Sequence, residues 1–206
     1  DTNVTLSGNS VSNWLDIDRG LDFSQASAGS RPDYNLEGLN FNQDLTFDGS
    51  NDFLQDLSFN LSPTNSSLFS VVSKSSHGGN RNILSSGNTQ SIEWRFTPTG
   101  AIEYLENDGI VASVSSPNSL PLSGWNLYAT LHDNNPNGVS VYENGAHVIK
   151  GTVDRNPSTT QSGVGRREQG GGFYLSGNIP ELIAYDRKLD SLERLRVETY
   201  LALKYG

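Results

Sequence analysis

The stretch that decides the fold is Ser176-Gly-Asn-Ile179-Pro-Glu-Leu182-Ile183-Ala-Tyr185-Asp-Arg-Lys-Leu-Asp190-Ser191-Leu192-Glu193-Arg-Leu195-Arg-Val-Glu-Thr199-Tyr-Leu-Ala202-Leu203-Lys-Tyr-Gly206. Ile179, Leu182, Ile183 and Tyr185 are β-forming side chains and predict one strand over 178–186. Asp190 and Ser191 then offer capping oxygens, and Glu193 falls in the first helical turn. Leu192, Leu195, Thr199, Ala202 and Leu203 recur at helical spacing, so a helix near 190–204 is predicted. Its apolar stripe reads as a lid over one end of whatever precedes it.

What precedes it alternates short β-like runs with turn clusters, the pattern of a sandwich rather than of βαβ units. Strands are predicted at 45–48, 52–58, 67–74, 81–86, 90–97, 100–106, 109–115, 125–132, 138–144, 146–153, 162–166, 172–176 and 178–186. In Ser91 to Phe96, Ile92, Trp94 and Phe96 point one way, and Glu93 and Arg95 the other. From Trp125 to His132, Trp125, Leu127, Ala129 and Leu131 share a side and are taken as core. Asn126, Tyr128, Thr130 and His132 take the opposite side. Asn137-Gly138 and Asn144-Gly145 mark tight turns, since both residue types tolerate positive φ. Gln169-Gly-Gly-Gly172 reads as a mobile loop, and no helix follows it to make a phosphate cradle. The fold class is all-β: a two-sheet antiparallel jelly roll with one C-terminal helix.

The chain has 206 residues, a formal charge of −9 and no Cys. With no linker-like run between its motifs, it reads as one domain over 1–206. The acidic balance argues against nucleic acid and anionic membranes, which need a basic footprint. Absent Cys excludes a disulfide framework and zinc–thiolate chemistry. No apolar run approaches the length of a membrane span.

Several motifs together resemble the LamG-like jelly-roll domains of the concanavalin A-like lectin/glucanase superfamily, as found in bacterial cell-surface adhesins. Val11-Ser-Asn-Trp14-Leu-Asp16 is similar to their opening, and Leu45-Thr-Phe47-Asp48-Gly-Ser-Asn51-Asp52-Phe53 to their Phe-Asp-Gly-x-x-Asp turn. Trp125-Asn-Leu-Tyr128 with Val141-Tyr142-Glu-Asn144-Gly145 resembles their central hairpin, Val164-Gly165-Arg166 a later strand, and Tyr200-Leu-Ala-Leu-Lys-Tyr-Gly206 their close. One departure is Ile17-Asp18-Arg19-Gly20 after the Trp14 motif, where the family has Ser-Gly-Asn-Gly. The resemblance implies an extracellular or surface module cut from a longer protein, monomeric as a module.

The same superfamily contains glucanases, whose paired carboxylates lie about 5–5.5 Å apart on a Glu-x-Asp-x-x-Glu strand. No such run occurs here, and His77, His132 and His147 lie far apart with no nucleophile motif beside them. No enzyme is expected. Two oxygen-rich turns are candidate calcium sites: Asp48, Asn51 and Asp52 in the first, and Asp133 with Asn134, Asn135 and Asn137 in the second. The competing reading is that such side chains bond their own backbone. For binding, Glu93, Arg95, Tyr128, His132 and Tyr142 are expected on one polar strand face, where rings and charges suit a sugar. The alternative is that this face is covered by the second sheet or by the segment 17–44. Arg166, with Arg167 and Tyr174, is a basic spot for a carboxylate of an acidic sugar or a peptide terminus. Trp14 and Trp94 read as core. The expected function is non-catalytic binding of a glycan or peptide on a host or neighbouring cell, assisted by calcium; the alternatives are a structural spacer in an extracellular fibre and, third, a degenerate or unusual polysaccharide-active enzyme.

Overall fold

The computed structural model describes residues 3–59, 61, 65–76, 78–87, 91–107, 111–117, 122, 124–133, 138–153 and 161–206. Four short strands come first: β1 (Val4–Ser7), β2 (Ser10–Leu15), β3 (Asp22–Ser24) and β4 (Asp33–Asn35). Then follow β5 (Asp44–Asp48), β6 (Leu54–Asp56), β7 (Asn65–Lys74), β8 (Arg81–Ser86), β9 (Ser91–Phe96), β10 (Ile102–Asn107) and β11 (Val111–Ser115). Next are β12 (Trp125–Asp133), β13 (Gly138–Glu143), β14 (Ala146–Thr152), β15 (Ser162–Val164), β16 (Ser176–Tyr185) and the helix α1 (Ser191–Tyr205). The expected strand at 172–176 does not form; β16 begins at Ser176 instead.

Hydrogen bonding runs β11-β10-β9-β8-β15-β6-β3-β2 through a front layer. It crosses by β4 and continues β5-β16-β7-β12-β13-β14 through a back layer, and β1 pairs with β2 off this path. Every pairing in it is antiparallel, as the jelly-roll expectation requires. The segment 17–44, expected only as a cover, supplies β3, β4 and the crossover between layers. The two ends of the path, β11 and β14, lie against each other. Val114 fills the space over Gly151, where a Cβ would come within 2.4 Å of its Cγ2.

Two apolar layers hold the fold. The larger lies between the sheets and includes Phe47, Leu68, Val72, Trp94, Phe96, Tyr104, Tyr128, Val139, Val141 and Ile179, with Trp14 partly buried at its margin. The smaller lies on the outer side of the back sheet, where Phe69, Val71, Leu127, Ala129 and Leu131 meet Leu201 and Tyr205 of the helix. Both faces of β7 and β12 are therefore covered, which explains their runs of adjacent apolar residues.

The helix starts as its sequence dictates. The Asp190 carboxylate accepts from the N–H groups of Leu192 and Glu193, and the Glu193 carboxylate accepts in turn from the Asp190 N–H, completing a capping box. Asp190→Ala is expected to cost about 0.5–2 kcal/mol, seen as a lower urea midpoint; an unchanged midpoint would show that the cap contributes nothing. The lid expectation needs correction in two respects. The helix covers a sheet face rather than an end, and its buried positions are Glu198, Leu201 and Tyr205. Leu192, Leu195 and Leu203 are exposed. Among the described residues no helix is long and apolar enough to cross a membrane.

Candidate functional site

The outer face of the front sheet carries the densest polar chemistry. Alternation in β9 sends Ile92, Trp94 and Phe96 inward and Glu93 and Arg95 outward, as read from the sequence. The turn after β9 then sets the register with β10, so that Arg95 stands opposite Glu103. Arg95 bridges two carboxylates: its Nη1 donates to Glu93 Oε2 at 2.7 Å and its Nε to Glu103 Oε2 at 2.8 Å. The other oxygens are also engaged, Glu93 Oε1 by the Ser91 hydroxyl at 3.3 Å and Glu103 Oε1 by that of Ser115 at 2.9 Å. Glu103 is not singled out by the sequence, because spacing within one strand does not show pairing across a hairpin.

Beside this cluster the chain from Gly165 to Leu175 folds over the same face. Glu168 is buried there and accepts from Arg166 Nε at 2.8 Å and from Gln55 and Gln161 at 2.7 Å each. It lies directly on Gly163, where a Cβ would sit 2.0 Å from its Oε1, so only glycine admits this carboxylate to the sheet. The Arg166 guanidinium rests on the Phe53 ring, 3.6 Å from its centroid. Gly170, Gly171 and Gly172 all have positive φ and hand the chain to Phe173, itself at φ 53. The predicted loop is thus a tight turn that aims one aromatic ring. Arg167 lies over that ring at 4.2 Å and Arg95 approaches it at 5.7 Å. The Arg167 Nε donates to the Gly171 carbonyl at 3.3 Å, and the guanidinium forms no ion pair with any described residue.

These contacts sort the chemistry. Glu93, Glu103 and Glu168 are fixed acceptors whose oxygens are occupied by the protein's own donors. Arg167, in contrast, is a cation over an aromatic ring whose two terminal nitrogens make no ion pair with a described residue, and a guanidinium fork of this kind receives a carboxylate through two parallel bonds.

The predicted single open face does not form. Glu93 and Arg95 are on the outer side of the front sheet, and Arg166 joins them. Tyr128 and His132 are 1 % and 0 % exposed, inside the inter-sheet layer. Tyr128 packs edge-on against Phe96, and His132 stacks on Tyr104. Val139 and Val141 of the neighbouring strand lie in the same inter-sheet layer. Tyr142 is half-buried against the helix layer, with Arg194 over its ring. Alternation along β12 holds, but the helix covers the aliphatic side and leaves the rings to fill the sandwich.

Of the candidate calcium ligands, the described ones, Asp48, Asn51, Asp52 and Asp133, are engaged with the protein. Asp48 Oδ1 accepts from the N–H groups of Ser50, Asn51 and Asp52, and Asp52 Oδ2 accepts from that of Asp48. Burial acts most strongly on Asp48 and opposes ionisation, but the backbone donors outweigh it and hold the carboxyl below its ordinary range. Burial pushes Asp52 up to about 6. The Asn51 amide reaches back to the Gly29 carbonyl and the Ser30 hydroxyl. Asp133 pairs with Lys188 at 2.9 Å. Among the described residues no three carboxylates or histidines gather as a metal cluster. His77, Asn134, Asn135 and Asn137 lie outside the described residues.

Comparison with known proteins agrees with this architecture. The Laminin_G_3 family model, described as the concanavalin A-like lectin/glucanases superfamily, matches residues 48–193. No curated protein matches. Among solved structures, the chain is similar to the CBM40 of the Ruminococcus gnavus IT-sialidase bound to α2,3-sialyllactose, with 15 % identity and a TM-score of 0.58 over 66 % of this chain and 83 % of that one. A SAP-like pentraxin from Limulus polyphemus gives 18 % identity and a TM-score of 0.55 over 70 % and 76 %. The NanB sialidase of Streptococcus pneumoniae gives 16 % and 0.56, covering 68 % of this chain but 24 % of that one. At such identities the likeness is one of fold.

Proposed function

Since the chain belongs to the concanavalin A-like lectin/glucanases superfamily, we propose that it is a non-catalytic glycan-binding module of an extracellular or cell-surface protein, receiving an acidic sugar on the outer face of its front sheet. The observation that carries this reading is Arg167, a guanidinium over the Phe173 ring that Arg95 also approaches, without a carboxylate of its own among the described residues. A carboxylate arriving there meets donors already in place, so little ordering cost opposes binding. The Arg95 cluster below serves as a rigid floor, and its occupied carboxylates support binding rather than hydrolysis. The solved CBM40 bound to sialyllactose shares the fold and is in keeping with an acidic ligand. The Asp48–Asp52 turn and the Asp133–Lys188 pair act here as structural ties, with no calcium assigned to them.

A glycan array containing neutral and carboxylated sugars, followed by titration of the best hit, tests the reading. Arg167→Ala should weaken that hit roughly ten- to hundredfold, the contribution of a charge-assisted hydrogen-bond pair. Arg167→Lys should recover only part of it, because an ammonium lacks the planar fork. Equal affinity of wild type and Arg167→Ala, or hits confined to neutral sugars, would overturn the proposal. An array with no hits would return the spacer reading.

A further inference from the structure

We propose a second ligand site on the opposite side of the molecule, where the groove between α1 and the outer face of the back sheet takes a neutral pyranose ring against Trp125, with Glu198 accepting from one of its hydroxyls. The groove holds about 410 Å³ and runs between the helix, at Leu195, Glu198 and Ala202, and the sheet, at Trp125 and Asn126. Trp125 is half-buried and also borders an adjoining hollow of about 430 Å³ lined by Asn35 and Asn178. Its ring thus stands between an apolar compartment and a polar one. A pyranose has the matching division, C–H groups on a face and hydroxyls around the rim.

Glu198 supplies the second, independent observation. Its side chain is 6 % exposed and pairs through Oε2 with Arg194 one helical turn back. Its Oε1 is buried and has no hydrogen-bond partner. Arg194 serves only Oε2, with its guanidinium 4.0 Å over the Tyr142 ring. A buried acceptor without a donor is costly, and a ligand that brings one recovers that cost. The carboxylate charge is already balanced by Arg194, so what is missing is a neutral donor, such as a hydroxyl, and not a cation. Asn126 stands ready at the other wall. Its Oδ1 accepts from Asn144 Nδ2 at 2.6 Å, which orients its own amide nitrogen as a donor. Asn144 is fixed in turn by the Leu127 N–H, which donates to its Oδ1 at 2.9 Å.

The test uses the whole chain with 15N-labelled tryptophan and three probes: the methyl pyranosides of glucose, galactose and mannose. The chain has three tryptophans, so the indole N–H signals are few and Trp125→Phe assigns the one that matters. At least one probe should shift the Trp125 signal with saturation below about 50 mM, the regime of a single-ring ligand. Glu198→Gln should weaken that binding roughly fivefold, as a neutral acceptor replaces a charged one. Ala202→Trp fills the groove from an exposed helix position and should abolish the response while the protein remains folded; this variant stands in if a Trp125 variant does not fold. Arg167→Ala should leave the response unchanged, so failure here and failure of the front-face reading are told apart. A Trp125 signal unmoved by all three pyranosides, or moving equally in Ala202→Trp, would overturn the proposal.

Discussion

Replacing Tyr128 with alanine is expected to cost about 3–5 kcal/mol of folding stability, the range for removing a large ring from a core. The side chain is 1 % exposed, its ring meets Phe96 edge-on at a centroid distance of 5.9 Å, and its hydroxyl donates to Glu143 at 3.3 Å. Truncation would leave a ring-sized cavity between the two sheets, bordered by residues of β9 and β13 that cannot close without moving strands. In a chain of this length each kcal/mol lowers Tm by about 2–4 °C, so the loss should be plain in a thermal melt. Tyr142→Ala, one strand over and half-buried, should cost clearly less. If Tyr128→Ala unfolds within about 1 kcal/mol of wild type, the ring does not sit between the sheets.

The second large effect separates two leucines of the same helix. Leu201→Ala should destabilise by about 2–5 kcal/mol, because Leu201 is 0 % exposed and packs with Phe69, Val71 and Leu127 on the outer face of the back sheet. Leu195→Ala should change stability by no more than about 0.5 kcal/mol, since that side chain is 46 % exposed. Urea unfolding of the two variants side by side decides the matter. Equal losses would mean that the helix docks by a different stripe.

These two residues also mark how far the sequence can be read. Helical spacing picked out an apolar stripe through Leu192, Leu195 and Leu203, yet the docked stripe runs through Val197, Leu201 and Tyr205. Helix α1 has apolar positions on more than one side, and periodicity alone does not say which side meets a partner. The same limit applied to β12. Alternation assigned Tyr128 and His132 to one face and Leu127 and Leu131 to the other, correctly, but both faces are covered and parity carries no information about which layer lies where. Where one signal had one meaning, the reading held: the capping box at Asp190 and Glu193, the Asn144-Gly145 turn with φ of 50 and 79, and the two faces of β9. The strands β1 to β4 went unseen because they have only three to six residues and are largely polar. Their place is fixed by neighbours from distant parts of the chain. For the front-face site, Glu93, Arg95 and Arg166 were visible as charged residues on strands or their ends. Glu168 and Phe173 were not singled out, because nothing local shows that the turn carrying them lies down on the sheet.

The order of strands in the back layer has a consequence for how the molecule is made. β7, the spine of that layer, is flanked by β12 on one side and by β16 on the other, and β5 also pairs with β16. Residues near 45 and 70 thus wait for partners more than a hundred positions further along. Such distant closure is entropically slow. A nascent chain emerging from the ribosome leaves one edge of β5 and one edge of the ten-residue β7 without their partner until Ser176–Tyr185 arrives, and synthesis interrupted just short of that point should yield a species prone to intermolecular strand exchange.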